Sequence, residues 1–320
     1  MNNIQDFNPK VSIIIPVYNG STYLREAIDS ALSQTYSNIE VLVVNDGSND
    51  AGMTHDIAFS YGDKIRYFKK ENGGVSSALN LGISKMTGKY FSWLSHDDVY
   101  TENKILNQVY ALSQIGNSVT IVCCNSVEID KNSNLINNIK KRLEFKSETL
   151  QWDQALKLML EKGVYGGCSF LIPKKVLDEV GGFDEALRYN QDVVMWYKIF
   201  LAKVNVLFNP EIDVKIRIHD SQLSRTGKDI FVKDSNSASH YLIPLFINNS
   251  QRYNFLFLYA KRMAVYNIKS VVDKCILEAK HDKLFGARDL IVLKSLCVWG
   301  KFRPIIKRLY YKVFKKVRTQ

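Results

Sequence analysis

The sequence predicts an α/β fold: a central, mostly parallel sheet flanked by helices, followed by a mainly helical C-terminal region. Three observations carry this. Residues 11–16 (VSIIIP) and 39–44 (IEVLVV) are unbroken apolar, largely β-branched runs, the pattern of strands buried on both faces. Stretches with helical apolar spacing alternate with such runs, as a parallel sheet with crossover helices requires. After Ser224 the pattern turns helical and the charge turns basic.

The first strand, 11–16, leads to Tyr18-Asn19, and Ser21 is placed to cap a helix carrying Leu24, Ala27, Ile28, Ala31 and Leu32 on one face. The second strand, 39–44, ends at the turn-rich NDGSND. A short strand at 65–69 leads to Gly73-Gly74 and a helix over 76–85. A fourth strand, 90–94, runs into His96-Asp97-Asp98, and Thr101 is placed to cap the next helix. A strand follows at 119–125, then a polar, less regular stretch over 126–150. Helices are expected at 151–161, stopped by Gly163, and at 191–203, with a short strand at 204–208. The composition divides the chain into residues 1–224 and a helical, basic region over 225–320.

A chain of 320 residues, 46% hydrophobic, has ample material for a packed core. Its net charge of +11 is unevenly spread: residues 221–320 hold 20 Lys/Arg against 6 Asp/Glu. Such an excess faces polyanions, and no nucleic-acid-reading module accompanies it, which leaves an anionic membrane surface. Five cysteines without a CxxC pair or a Cys/His cluster give no zinc pattern and read as buried free thiols. The first residues, MNNIQDFNPK, lack the features of a signal peptide. The apolar stretches 241–247 and 255–260 fall far short of the roughly 20 residues a spanning helix needs. A cytoplasmic protein is the expectation, either free or peripheral on the inner face of the cell membrane.

In parallel α/β sheets, ligands bind beyond the carboxyl ends of the strands. Pro16, Tyr18 and Asn19, then Asp46, then Asp97-Asp98 each close or follow a predicted strand, so all should gather at one sheet edge. The adjacent carboxylates of Asp97 and Asp98 suit a hard cation, Mn²⁺ or Mg²⁺, shared with a phosphate, or else a solvated helix start. Asp46 either closes an Asp-Gly turn or accepts from a base or ribose. Asp192 either meets a helix dipole or serves as a general base. His219 is a packed histidine or a ligand of a metal or diphosphate. Tyr18 packs or stacks on a base, and Gly73-Gly74 before a helix can cradle a phosphate.

Taken in order, SIIIPVYNG, IEVLVVNDGS, ENGGVSSALNLGISKMTGKYFSWLSHDD, GGCSFLIPKKVL, GGFDEALRYNQDVVMW and IRIHDSQLS resemble family 2 glycosyltransferases of the GT-A fold, over residues 11–224. The resemblance implies an inverting transfer from a nucleoside-diphosphate sugar, UDP-linked by default, to a carbohydrate or lipid-linked acceptor in surface polysaccharide or glycolipid assembly. It implies that Asp46 contacts base or ribose beside Tyr18, that Asp98 ligates the metal, and that Asp97 lies near the ribose and diphosphate. Asp192 falls at the catalytic base, and His219 at a histidine near the diphosphate that can join the metal. The chain departs from the pattern at Asn45, at Gln191, and at Ser77-Ala78, where an arginine is usual.

A sugar-nucleotide pyrophosphorylase would carry a glycine-rich loop with a basic residue after VSIIIP, and PVYNGS stands there instead. The G-x-G-x-x-G of a dinucleotide-dependent oxidoreductase is absent. A catalytically degenerate scaffold subunit is the non-enzymatic alternative; the four aspartates argue against it and Gln191 keeps it open. In the tail, residues 301–320 hold eight Lys/Arg and no acid. Pro304 suits a first helical turn, and Phe302, Ile305, Ile306, Leu309, Val313 and Val317 share one face. That pattern fits a helix in an anionic membrane interface or one packed on the catalytic domain.

Overall fold

The computed structural model describes residues 7–115, 119–136, 146–163, 166–220, 222 and 227–317, with 303–317 described by their backbone. The chain divides into two compact units: Met1–Ala155 with Val164–Ile230, and Leu156–Gly163 with Phe231–Gln320.

In the first unit, strands β1 (Val11–Val17), β2 (Ile39–Asp46), β3 (Arg66–Lys70) and β4 (Tyr90–Trp93) alternate with helices α1 (Leu24–Leu32), α2 (Met53–Phe59) and α3 (Val75–Lys85). There follow β5 (Val99–Tyr100), α4 (Lys104–Ser113), β6 (Thr120–Ile129), β7 (Glu148–Leu150) and α5 (Trp152–Lys162). The unit closes with β8 (Phe170–Pro173), α6 (Lys174–Val180), α7 (Gln191–Leu201) and β9 (Asn205–Arg217). One sheet takes the order β3-β2-β1-β4-β8-β6-β9-β5, with β7 on β9.

The pairs β3–β2, β2–β1 and β1–β4 are parallel, as is β6–β9. β8 is antiparallel to both β4 and β6, so β4, β6 and β9 all run the same way. The carboxyl ends of β1, β2, β4 and β9 therefore share one edge, and β9 delivers residues 218–222 to it. All seven residues of β1 are buried, as its unbroken apolar run requires. α3 packs directly on it: a Cβ added to Gly82 would meet Ile14 Cγ2 at 2.5 Å.

Two expected caps belong elsewhere. The Ser21 hydroxyl bonds Asp50, and α1 starts three residues later with no side-chain cap. Thr101 Oγ1 donates to Asp213 Oδ1 at 2.9 Å, and α4 begins only after Asn103. β9 is much longer than the strand expected at 204–208, because it continues through Pro210 at an irregular register with β6. β8, α6, α2 and the short β5 and β7 are further elements that apolar periodicity alone did not mark.

The second unit takes in the end of α5 and the helices α8 (Lys228–Ile247), α9 (Arg252–Val265), α10 (Lys269–His281) and α11 (Ala287–Val317). Its core includes Leu242, Phe246, Leu256, Tyr259, Val272, Cys275 and Leu293, all buried. α11 runs through Pro304 rather than starting there. All five cysteines are free, four of them buried. No helix among the described residues is long and apolar enough to cross a membrane.

Candidate functional site

At the end of β1, Pro16 is buried within the strand, and its backbone carbonyl accepts from the His96 ring. Tyr18 turns outward and is 44% exposed. Asn19 adopts a left-handed φ of 50°, a conformation asparagine tolerates better than most residues. Its amide pairs reciprocally with Asn49, Nδ2 donating to Asn49 Oδ1 at 2.7 Å and Oδ1 accepting from the Asn49 N–H at 2.8 Å. This stitches the loops after β1 and β2 into one wall.

Asp46 closes β2 and is almost fully buried. Its Oδ1 accepts from Lys70 Nζ and from the Gly73 N–H, both at 2.9 Å, and its Oδ2 accepts from the Gly74 N–H at 2.6 Å. The carboxylate thus organises the glycine pair that opens α3. Gly74 has a φ of 89°, and a Cβ there would meet Arg188 Nη1 at 1.8 Å. Only glycine accommodates both the backbone angle and the guanidinium lying on it.

After β4 the two adjacent aspartates part company. Asp98 is 7% exposed: Oδ1 accepts the Arg217 N–H at 2.9 Å and Oδ2 accepts from Cys168 Sγ at 3.3 Å. Burial, and then the neighbouring Asp98 charge, hold the Cys168 thiol well above its ordinary range, so it remains a donor. Asp97 Oδ2 lies 3.0 Å from His219 Nε2, with Gln222 Nε2 at 3.5 Å. Burial alone would raise the Asp97 carboxyl, but His96 and the His219 bond outweigh it and lower it below the usual carboxylate range. His219 in turn packs on Tyr23, ring centroids 5.2 Å apart.

Arg217, which sequence reasoning did not single out, holds this cluster together. It is fully buried. Its Nε donates to the Asp97 carbonyl at 2.9 Å, Nη1 to Ser133 Oγ at 2.8 Å, and Nη2 pairs with Glu26 Oε2 at 2.5 Å. Its guanidinium also lies over Tyr23, 4.4 Å from the ring centre. The available signal was its position two residues before His219, within the segment IRIHDSQLS.

Asp192 stands at the first turn of α7, and the Val193 N–H donates to its Oδ1 at 2.7 Å. Burial raises its carboxyl to about 6. Asp97, Asp98 and His219 thus come together at one point, and Asn19 and Asp46 shape the adjoining loops. Asp192 is bonded to its own helix.

Among the described residues no group of three or more His, Cys, Asp or Glu could by itself hold a metal ion. Asp97 Oδ2 and His219 Nε2 nevertheless converge as an oxygen and an imidazole donor. They fit a divalent cation that completes its shell from a diphosphate and water. Both oxygens of Asp98, by contrast, accept from protein donors.

The profile described as Glycosyl transferase family 2 matches residues 12–181. An uncharacterized glycosyltransferase of Rickettsia bellii is 51% identical over 222 residues, 69% of this chain and 32% of that protein. One from Rickettsia typhi is 50% identical over 221 residues, covering 69% of this chain and 68% of its own. The minor teichoic acid biosynthesis protein GgaB of Bacillus subtilis is 28% identical over 282 residues, 83% of this chain and 30% of that protein. The chain thus spans about a third of the Rickettsia bellii and Bacillus relatives. Among solved structures, S. aureus TarS 1–349 in complex with UDP-GlcNAc superposes with a TM-score of 0.65 at 15% identity, covering 91% of this chain and 89% of that one. The Pyrobaculum calidifontis mannosyltransferase PcManGT, in complex with GDP-Man and Mn²⁺, gives 0.53 at 16% identity, covering 92% and 89%. The fold is shared with these glycosyltransferases, and the profile match and the Rickettsia identities place the chain in glycosyl transferase family 2.

Proposed function

We propose that the chain transfers a sugar from a nucleoside-diphosphate sugar, UDP-linked, to an acceptor hydroxyl with inversion at the anomeric carbon. The observation that carries this reading is the meeting of Asp97 and His219 at the sheet edge, beside the loops after β1 and β2. The TarS complex with UDP-GlcNAc supports the choice of UDP.

The walls formed by Asn19, Asn49 and the Asp46-anchored glycines would receive the nucleotide, with exposed Tyr18 available to stack on the base. Asp97 and His219 would hold Mn²⁺ or Mg²⁺, which when bound supplies Lewis-acid stabilisation to a departing nucleoside diphosphate. In this assignment Asp97, not Asp98, is the carboxylate that faces the ion, because Asp98 is spent on Arg217 and Cys168. Asp46 acts through the loop it ties rather than by touching the base. Asp192 takes the proton of the acceptor hydroxyl as its oxygen bonds the anomeric carbon and the bond from that carbon to the diphosphate oxygen breaks. Its raised pKa suits a general base, since above pH 6 it is a carboxylate and still basic enough to accept a proton.

The basic C-terminal helix suits an acceptor carried on a lipid at an anionic membrane surface, on its cytoplasmic face. The relation to GgaB favours a cell-surface polymer as the product class. Release of UDP from UDP-hexoses in the presence of Mn²⁺ and candidate acceptors tests the reading. Asp192→Asn should lose about a hundredfold or more in kcat while binding UDP as the parent does. An Asp192→Asn enzyme with near-full kcat would remove the base from the scheme.

A further inference from the structure

The first turns of α11 carry two apolar faces, and only one is packed. Leu293 is fully buried, and Gly300 lies so close to α9 that an added Cβ would meet the Ala264 carbonyl oxygen at 2.5 Å. Ile291, Val298, Trp299 and Phe302 are instead 63%, 57%, 45% and 53% exposed. At about 100° per residue, these four fall in a sector roughly 100° wide, on the side opposite Leu293 and Gly300. The last acid of the helix, Asp289, is engaged by the Gly286 N–H at 2.9 Å and the Tyr253 hydroxyl at 3.0 Å.

The helical backbone runs unbroken from Ala287 to Val317. Carried along the sequence at the same period, Ile305, Ile306, Leu309, Val313 and Val317 continue the same sector. Residues 290–320 hold nine Lys/Arg and no Asp or Glu. By the same spacing Lys294, Lys301 and Lys312 border one side of the sector, and Arg303 and Lys307 the other.

We propose that residues 291–317 form one continuous docking face that seats α11 lengthwise in the interface of an anionic bilayer, with Phe302 near its centre line and Trp299 along one margin. The charge selects this occupant. A second copy of the chain would bring the same row of cations against it, whereas anionic headgroups neutralise them on both flanks. Lysine stems can lie along apolar surface while their ammonium groups reach the headgroups. A face roughly 40 Å long is seated by burying its apolar side a few ångströms deep, with no need to span. The inference rests on the proposed transferase for its purpose, an acceptor at the membrane, but is tested apart from it.

The full chain is floated with vesicles of mixed phosphatidylglycerol and phosphatidylcholine and with phosphatidylcholine alone. The parent should float with the anionic vesicles, and Trp299→Ser with Phe302→Ser should partition about tenfold less or worse. Lys294→Gln with Lys301→Gln should weaken only the anionic case, and it serves if the apolar variant loses its helical circular dichroism. No flotation of the parent, or unchanged flotation of both variants, overturns the proposal. So does a parent that is dimeric by sedimentation and becomes monomeric in the apolar variant. UDP binding is measured on the same samples: its loss in the parent would count against the transferase and leave the vesicle result standing.

Discussion

Asp97 and Asp98 are neighbours in sequence with opposite fates. Asp98 points into the fold, where a backbone N–H and a thiol satisfy it, while Asp97 points at His219. Asp98→Asn keeps an acceptor for the Arg217 N–H but sets an amide N–H₂ against the Cys168 thiol. It should destabilise the first unit by about 1–3 kcal/mol, read from urea unfolding, an unpaired buried polar group costing that much. Asp192 gives a pH signature. Its folded pKa of about 6 lies above its ordinary value, so it favours the fold below pH 4 and loses that contribution as pH rises through 6. Asp192→Asn should therefore be more stable than the parent at pH 8, by on the order of 1 kcal/mol given that the residue is only half-buried. Activity of the parent should fall with an acid limb near pH 6, and an unchanged profile in the parent below pH 5 would contradict the assignment. The gathering of Asp46, Asp97 and Asp98 at one edge was legible in the sequence from their places after buried strands, although each carboxylate alone also suited a turn or a helix start. Which of two adjacent aspartates turns outward was not, since that depends on Arg217 and Cys168, 119 and 70 residues away.

The elements read from the sequence are those with apolar runs or helical spacing: β1, β2, β3, β4, β6, the start of β9, α1, α3, α4, α5 and α7. β8 was not legible because four residues flanked by a glycine-rich turn and a helix are too few to show a period. β9 was obscured by Pro210, which breaks strand patterns yet is tolerated at a register irregularity. The extension matters, because it carries Arg217 and His219 to the site. Arg217→Leu should cost about 1–3 kcal/mol in urea unfolding, as it strands the buried carbonyl of Asp97, while the exposed Glu26 carboxylate is left to water. A loss below 1 kcal/mol would show that the cluster is held by other contacts. At the opposite edge Glu40 ties β2 to the turn before β4, accepting from Ser12 Oγ at 2.5 Å, Arg66 Nη1 at 2.8 Å and the Thr87 N–H at 2.6 Å. Burial would raise its carboxyl, but these donors outweigh burial and lower it to about 2. Its contribution is full above about pH 4.5 and is lost as pH falls towards 2, so Glu40→Gln should be destabilising at pH 7 and nearly neutral at pH 2.5. Equal penalties at the two pH values would mean that the charge is irrelevant.

On the scale of the molecule, the sheet order explains why residues scattered from 16 to 222 act together. Parallel strands bring the loops after β1, β2 and β4 to one edge, and two antiparallel pairings across β8 return β6, and with it β9, to the same direction. The alternation of strands and helices made that edge legible, whereas the antiparallel insertion could not be inferred from periodicity, which carries no strand direction. The basic charge was legible from composition, and the exposed second face of α11 emerged only once Leu293 and Gly300 were seen to occupy the first. Asp97, with His219, is proposed to form the ion-binding half of a nucleotide site. Calorimetric titration of UDP into the parent, Asp97→Asn and Asp98→Asn, each with Mn²⁺ and with EDTA, tests it most directly. The expected result is Mn²⁺-dependent binding in the parent that weakens about a hundredfold in Asp97→Asn and survives in folded Asp98→Asn. Undiminished Mn²⁺-dependent binding in Asp97→Asn, or no binding of UDP in the parent, would rule out Asp97 and His219 as the ion-binding pair.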